Sequence, residues 1–218
     1  MSLLRPFRAA DLFKFNNVNL DHWTETYSLS FYLSYLARWP DLSFIQTAPS
    51  SSRVMGYVIG KAEGHDPFPA SCSGSALSSS LTSTLEAGKS RKSVDPPTLH
   101  GHVTAITVAP EYRRLGLANG MMHLLEDVSH RVYAAYFVDL FVRPSNITAV
   151  KMYERMGYQV YRKVKQYYYG GGKGGNDEDG FDMRKALPRD DKGVTVRTNG
   201  RNFMVHPQDT LFEPAYRP

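Results

Sequence analysis

The amino-acid sequence predicts a single α/β domain, with a mixed central sheet of about seven strands flanked by about four helices. Stretches rich in β-branched or alternating apolar residues are interleaved with segments whose apolar residues recur at helical spacing. The chain has 218 residues, 42% of them hydrophobic, which is enough for one well-packed core but not comfortably for two. One domain is therefore expected.

The first sixty residues supply three predicted strands and two predicted helices. A short edge strand at 3–8 precedes a helix that Ala10-Asp11 caps and that runs through Leu12, Phe13 and Phe15. Strands at 44–48 and 54–62 form an antiparallel pair. A second helix, capped by Ser30, has apolar side chains at helical spacing that should face a core or a partner: Phe31, Tyr32, Tyr35, Leu36 and Trp39.

Two segments of low periodicity interrupt or follow this pattern. Residues 64–98 are rich in Ser, Pro and Gly and predict a flexible surface insertion rather than a domain. From Pro188 onward no period is visible. We assign the domain to residues 1–187, including the insertion, and an irregular tail to residues 188–218.

Residues 100–128 form the stretch around which the rest is arranged. His102 to Val108 predicts a strand that Ala109-Pro110 ends, and residues 117–128 carry apolar groups at helical spacing. The intervening turn holds two arginines, a glycine and the small Ala118. A phosphate can approach backbone N–H groups there, because the first turn of a helix leaves them without helical partners.

The remaining elements follow in order. Residues 136–142 are almost continuously apolar, which predicts a central strand buried on both faces. A helix over 146–156 ends at Gly157, and strands at 158–169 and 181–187 form a hairpin around a glycine-rich loop at 170–175. Earlier in the chain, the apolar residues of 20–27 show no regular spacing, so this segment suits a loop over a binding site.

Charge and cysteine content limit the kinds of partner. The formal net charge of +5 fits a nucleic-acid surface, an acidic substrate or a phosphorylated cofactor, but no basic run carries interleaved aromatic residues. We therefore expect no direct nucleic-acid site. Cys72 is the only cysteine, so no intramolecular disulfide and no thiolate metal site are expected. Without a signal-peptide core or a membrane-length apolar segment, we expect a cytoplasmic protein.

Two motifs resemble the GNAT acetyltransferase superfamily. Arg113-Arg114-Leu115-Gly116-Leu117-Ala118 resembles its acetyl-coenzyme A pyrophosphate loop, and the spacing of Asn146, Ala149, Tyr153, Gly157 and Tyr158 resembles its second signature. The resemblance implies the GNAT fold and acetyl-coenzyme A as co-substrate without a metal. It implies cofactor contacts at Ile106, Thr107, Val108, Arg113, Arg114, Leu115, Gly116, Leu117, Ala118, Asn146 and Tyr153.

Within that superfamily, residues 1–63 and 99–187 resemble the family of NatB catalytic subunits. The resemblance rests on segments such as FNNVNLDHWTETY, FYLSYLARWP and GHVTAITVAPEYRRLGLA. It implies acetylation of the α-amine of proteins that begin Met-Asp, Met-Glu, Met-Asn or Met-Gln. The expected substrates are nascent chains at the ribosome. The resemblance also implies a larger helical-repeat auxiliary subunit, for which Phe31, Tyr35 and Trp39 would be exposed docking points.

The family resemblance also implies a peptide site. Glu25 and Tyr27 would order the substrate terminus, Tyr167 and Tyr168 would pack around the initiator methionine, and the second residue would meet His102, Thr104 and Ala105. Tyr153, Glu25 and His102 are the candidate catalytic residues: a phenol for the leaving thiolate, a base acting through water, and a hydrogen-bonding group. Because His102, Thr104 and Ile106 alternate on one strand, we expect them to share a face of the sheet.

Structural interpretations of the same residues remain open. Tyr153 fits a core position, Asn146 a helix cap and His102 a structural histidine, while a loop glutamate is usually solvated and clustered tyrosines often pack an edge strand. The cofactor loop is also common to GNAT enzymes that acetylate lysine side chains or small amines. A non-catalytic acyl-coenzyme A binding module is the alternative from a different class.

Overall fold

A single mixed sheet organises the protein, confirming the predicted fold class. The computed structural model describes residues 2–21, 23–65, 98–170 and 177–210, so the insertion (apart from its ends), the glycine-rich loop and the end of the tail lie outside the described residues. Within them the sheet has eight strands in the order β1-β2-β3-β4-β5-β7-β6-β8. The strands are β1 (Leu3–Pro6), β2 (Ser43–Thr47), β3 (Val54–Glu63), β4 (His100–Val108), β5 (Phe137–Val142), β6 (Gln159–Tyr168), β7 (Glu178–Ala186) and β8 (Met204–Val205).

Three α-helices, not the expected four, occur among the described residues: α1 (Leu29–Arg38), α2 (Leu117–Arg131) and α3 (Ile147–Arg155). The predicted first helix is a 3-10 helix at Ala9–Phe13. A segment of five residues is too short to offset the cost of nucleating an α-helix. The Asp11 carboxylate instead accepts the backbone N–H of Arg8 and pairs with the guanidinium of Arg5 at 2.7 Å.

Helix α1 begins earlier than predicted and buries Tyr32 and Tyr35. Ser28, not Ser30, is its N-cap, and Ser28 Oγ accepts the N–H of Phe31 at 3.3 Å. Tyr35 is buried, and it packs against Phe31 and Trp39 with ring centroids 4.5 and 5.3 Å away. The prediction that Tyr35 is an exposed docking point is therefore wrong, because Tyr35 covers the sheet, whereas Phe31 and Trp39 are half-buried and stay predicted docking points.

The two faces of the sheet carry separate cores. Helices α2 and α3 pack on one face, with Val58, Val103 and Leu140 in that core. Helix α1 and the 3-10 helix cover the other face over β2 and β3, where Ile59 is buried. Neighbouring residues such as Val58 and Ile59 belong to opposite cores because side chains alternate along a strand.

The described part of the tail lies on the edge of the sheet and has short regular elements. Strand β8 pairs in parallel with β6 and adds the eighth strand. Gly200 packs so tightly that an added Cβ would fall 1.8 Å from the carbonyl oxygen of Val160. The side chain of Arg201 also pairs with Glu154 of α3 at 2.7 Å. The elements of the tail are β8 and two 3-10 helices, Gly200–Asn202 and Pro207–Asp209. Each is only two or three residues long, so the sequence shows no periodicity here.

Candidate active site

Strands β4 and β5 separate at their carboxyl ends. Their parallel pairing runs from His100–Phe137 to Val103–Leu140, whereas β4 continues to Val108 and β5 to Val142. Beyond Val103, the edge of β4 that faces β5 is therefore released from pairing. In an open α/β sheet such an opening at the carboxyl ends of strands is where ligands bind.

A β-bulge at Thr104 changes which side chains face the opening. Ile59 pairs with Ala105 and Gly60 with Val103, so Thr104 is an extra residue in β4. The prediction that Ile106 shares a face with His102 and Thr104 is wrong. The bulge shifts the alternation, and Ile106 packs instead in the core beneath α2.

The turn before α2, which the sequence predicts to admit a phosphate, has open space at its glycines. Gly116 is the N-cap of α2, and Arg114 and Gly116 both have positive φ values, 67° and 78°. A Cβ placed on Gly116 or Gly120 would meet nothing within 4 Å, and Leu115 is exposed. Unpaired N–H groups at the first turn and the positive end of the helix dipole favour an anion in this space. Leu117 is buried below the turn, and Ala118 follows it in the first turn.

Arg113 links this turn to the rest of the site. Its Nε donates to the Val108 carbonyl at 3.2 Å, and its Nη2 lies 2.8 Å from Asp21 Oδ2. The hydroxyl of Thr107 lies 2.9 Å from that of Thr24. Both contacts tie the end of β4 to the loop at 20–27.

The second signature lies on α3. Asn146 is its N-cap, and its Oδ1 accepts the N–H of Ala149 at 3.2 Å. Tyr153 is buried in the core, with its ring edge-on to Tyr158 at 5.9 Å. Burial raises the pKa of Tyr153 above its usual value, so the phenol keeps its proton at neutral pH. These contacts fit the structural interpretations of Asn146 and Tyr153, and they leave a phenol that is able to donate a hydrogen bond.

One wall of the opening is formed around Arg143, which the sequence analysis did not select. Its Nη2 pairs with Glu25 Oε1 at 2.9 Å, its Nη1 lies 3.7 Å from Glu178, and its guanidinium lies 4.2 Å from the Tyr168 ring centroid. Arg143 therefore joins the loop at 20–27 to the β6–β7 hairpin. Its place directly after β5 was a signal, since residues at strand ends line such openings.

Aromatic rings line the interior between these walls. Tyr167 stacks on Phe141 with centroids 4.3 Å apart, and Phe141 lies 5.8 Å from the His102 ring. The Tyr27 hydroxyl lies 3.5 Å from the Thr104 carbonyl oxygen. Burial raises the pKa of both Tyr27 and Tyr167, so their hydroxyls are neutral donors.

Contacts also fix the residues predicted to meet the second substrate residue. His102 Nδ1 lies 2.8 Å from Asp139 Oδ1, and Thr104 donates to the hydroxyl of Tyr35 at 3.2 Å. Ala105 packs toward the core under α1. Asp139 is a second residue that sequence reasoning missed, although alternation along β5 places it on the same face as Phe141.

The structure therefore brings the predicted peptide residues around one opening, while Arg113 to Ala118 lie beyond the end of β4. Among the described residues, no group of three or more His, Cys, Asp or Glu side chains is arranged to hold a metal ion. Over the same part of the chain, none of the helices is both long and apolar enough to span a membrane.

Comparison with known proteins agrees with this geometry. Residues 12–158 match the model of the acetyltransferase (GNAT) family. NAA20, the catalytic subunit of the N-terminal acetyltransferase B complex from Arabidopsis thaliana, is 48% identical over 190 residues, covering 87% of this chain and 88% of that protein. The corresponding subunit from Schizosaccharomyces pombe is 46% identical, covering 97% of this chain and 100% of that protein.

The chain belongs to the NatB catalytic-subunit family of GNAT acetyltransferases. It is therefore an N-terminal acetyltransferase. The crystal structure of Chaetomium thermophilum Naa20 in complex with a bisubstrate analogue superposes with a TM-score of 0.77 at 36% identity, covering 94% of this chain and 97% of that one. The GNAT fold and the NatB family inferred from the sequence are thus confirmed.

Proposed function

We propose that this enzyme transfers acetyl from acetyl-coenzyme A to the free α-amine of the initiator methionine in proteins that begin Met-Asp, Met-Glu, Met-Asn or Met-Gln. The observation that supports it most is the opening between β4 and β5, which connects the anion-binding start of α2 to the aromatic peptide site. A donor and an acceptor can meet there. The coenzyme would enter from one end and the peptide from the other.

The residues at the start of α2 fit the diphosphate of acetyl-coenzyme A. The open space above Gly116 admits a phosphate, and Arg114 adds charge beside the backbone N–H groups. Ile106, Thr107 and Val108 would offer the free backbone edge of β4 to the pantetheine arm, with Asn146 on the far side.

The chemistry needs little from the protein beyond alignment. An α-amine has an unperturbed pKa near 8, so roughly a tenth is neutral at pH 7 and can attack the thioester directly. No covalent enzyme intermediate is required. The neutral phenol of Tyr153 would donate to the departing thiolate, and Glu25, held by Arg143, would order the amine and accept its proton through water.

Selectivity would come from the aromatic site. Tyr27, Tyr167 and Tyr168 would close around the initiator methionine, and His102 and Thr104, with Ala105 beside them, would contact the second residue. Hydrogen bonding suits both acids and amides, whereas a lysine point charge would favour acids alone. A narrow aromatic site also disfavours the long arm of a lysine substrate, the alternative common to other GNAT enzymes.

An auxiliary subunit would cover the apolar surface near the amino terminus. The relatives are catalytic subunits of a complex. In this chain Phe13, Leu20 and Leu29 are exposed by 81%, 85% and 54%. A cavity of about 410 Å³ adjoins Leu20 and Leu29 between the 3-10 helix and the start of α1. These residues, with the half-buried Phe31 and Trp39 of α1, would be the docking points. The assembled enzyme would act on nascent chains in the cytoplasm.

A peptide panel tests the proposal. The chain, alone and co-purified with the auxiliary subunit, is incubated with acetyl-coenzyme A and peptides that differ only at residue two. Acetyl gain restricted to Asp, Glu, Asn and Gln at that position is expected. Transfer to lysine in an amino-terminally blocked peptide would contradict the proposal, and coenzyme binding without any transfer would favour the non-catalytic alternative.

A further inference from the structure

Beneath the peptide site lies a buried row of ionisable groups, here called the ionic row: Lys61 and Glu63 of β3, His100 and His102 of β4, and Asp139 of β5. Lys61 Nζ lies 2.6 Å from Glu63 Oε2, and His100 Nε2 lies 3.5 Å from Glu63 Oε1 and 3.7 Å from Asp139 Oδ1. The row ends at His102, whose Nδ1 lies 2.8 Å from the same Asp139 oxygen. It therefore connects β3 to His102, which lines the proposed peptide site.

Asp139 is an anion despite having no exposed surface. Burial opposes its ionisation most strongly, but the charges of His100 and His102 and the hydrogen bond from His102 outweigh that effect. The pKa of Asp139 is therefore held below its ordinary value. An ionised carboxylate can only accept hydrogen bonds.

The chemistry of that pair fixes one proton of His102. Because Asp139 is an acceptor, Nδ1 must carry hydrogen, and Nε2 is the ring nitrogen left for other partners. In neutral imidazole Nε2 accepts, which suits the NH₂ of an amide side chain; in imidazolium it donates, which suits a carboxylate.

We propose that Asp139 is a positioning residue for substrate selection. By accepting a hydrogen bond from Nδ1–H of His102, it makes the protonation state of Nε2 the feature that selects between acidic and amide second residues. This proposal rests on the proposed function of the site. A protonated Nε2 donates to the carboxylate of a Met-Asp peptide, whereas an unprotonated Nε2 accepts the amide NH₂ of a Met-Asn peptide.

Other groups around the pair do not remove this dependence. Glu63 and Lys61 are oppositely charged and in contact, and burial raises the pKa of Tyr27 and Tyr167, which stay neutral in the working range. Among the described residues, the titratable or charged groups facing the pair are Lys61 and Glu63 on β3, His100 on β4, Arg184 and Asp182 on β7, Tyr167 on β6, Tyr158 just before β6, Tyr27 in the loop and Tyr35 on α1.

The test compares Asp139→Asn with a matched control, Asp190→Asn. Asp190 is also a buried carboxylate, but it accepts the backbone N–H groups of Val194 and Thr195 at 3.0 and 2.9 Å in the tail. The ratio of kcat/KM for Met-Asp and Met-Asn peptides is measured from pH 6 to 8.5 with the full chain in its complex. We expect Asp139→Asn to change the ratio by about tenfold and to flatten its pH profile, since a neutral amide replaces the charged acceptor of the Nδ1–H hydrogen bond.

The control should keep the parental ratio and pH profile. Equal ratios and profiles in the parent and Asp139→Asn would overturn the proposal. A second readout does not depend on the variant folding or on activity: nitrogen-15 shifts of the His102 ring in the parent protein should report the Nδ1–H tautomer. An Nε2–H tautomer would overturn it. Failure of the parent to acetylate either peptide would instead refute the proposed function.

Discussion

Replacing Arg143 with methionine should weaken peptide binding with little effect on the coenzyme. Methionine keeps much of the aliphatic packing but removes the contacts to Glu25 at 2.9 Å and to the Tyr168 ring at 4.2 Å. The Glu25 carboxylate is half exposed, so this ion pair contributes only about 0.2–1 kcal/mol. The cation–π contact adds about 1 kcal/mol, because Tyr168 is largely shielded from water.

Together these two contacts stabilise the wall of the proposed peptide site by about 1–2 kcal/mol. Their loss predicts a rise in KM for a Met-Asp peptide of about tenfold. Steady-state kinetics with each substrate varied in turn measures it. The Arg53→Met variant is the matched control, because Arg53 pairs with Glu111 at the same 2.9 Å far from the β6–β7 hairpin. An unchanged peptide KM in Arg143→Met, or an equal rise in the control, would refute the reasoning.

Three further predictions concern single side chains. Tyr153→Phe should lower kcat on the order of a hundredfold while the Kd for acetyl-coenzyme A stays within about twofold, because only the phenol is lost; equal kcat would remove its role. Gly116→Ala should lower the free energy of unfolding by about 1 kcal/mol, because alanine is strained at positive φ. Gly120→Ala, in equally open space within α2, should raise the free energy of unfolding by about 1 kcal/mol, because alanine favours a helix more than glycine does. Denaturant unfolding compares the two variants. Burial raises the pKa of Glu63, but hydrogen bonds from His100 and Lys61 outweigh burial and lower this pKa from 4.5 to about 2. Between these two pH values the folded state binds fewer protons than the unfolded state. The free energy of unfolding therefore falls as the pH drops from 4.5 to about 2. Glu63→Gln should show a shallower fall, and identical slopes would show that this carboxylate is not responsible.

The strand, turn and helix over residues 100–131 could be predicted because each part has a local cause. Alternation gives β4, positive φ at Gly116 ends the turn, and helical spacing gives α2. The Gly157 helix stop, with φ of 93°, was predictable for the same reason.

Features set by distant contacts could not be predicted. The bulge at Thr104 depends on pairing with β3, and the alternation of residues along β4 does not indicate it. The local pattern could place Arg143 after the end of β5 and Asp139 on the face of Phe141, but their contacts are with partners 118 and 37 residues away in the chain. The aromatic spacing on α1 correctly indicated a packed face, but spacing alone does not distinguish a core from a partner surface.

The central claim is that one opening between β4 and β5 receives the coenzyme at the start of α2 and the peptide beside His102. A crystal structure of the chain with coenzyme A covalently joined to a Met-Asp peptide tests it most directly. We expect the diphosphate oxygens within hydrogen-bonding distance of the backbone N–H groups between Arg113 and Ala118, and the aspartate side chain against His102 Nε2. A diphosphate bound elsewhere, or an aspartate directed away from His102, would contradict the account.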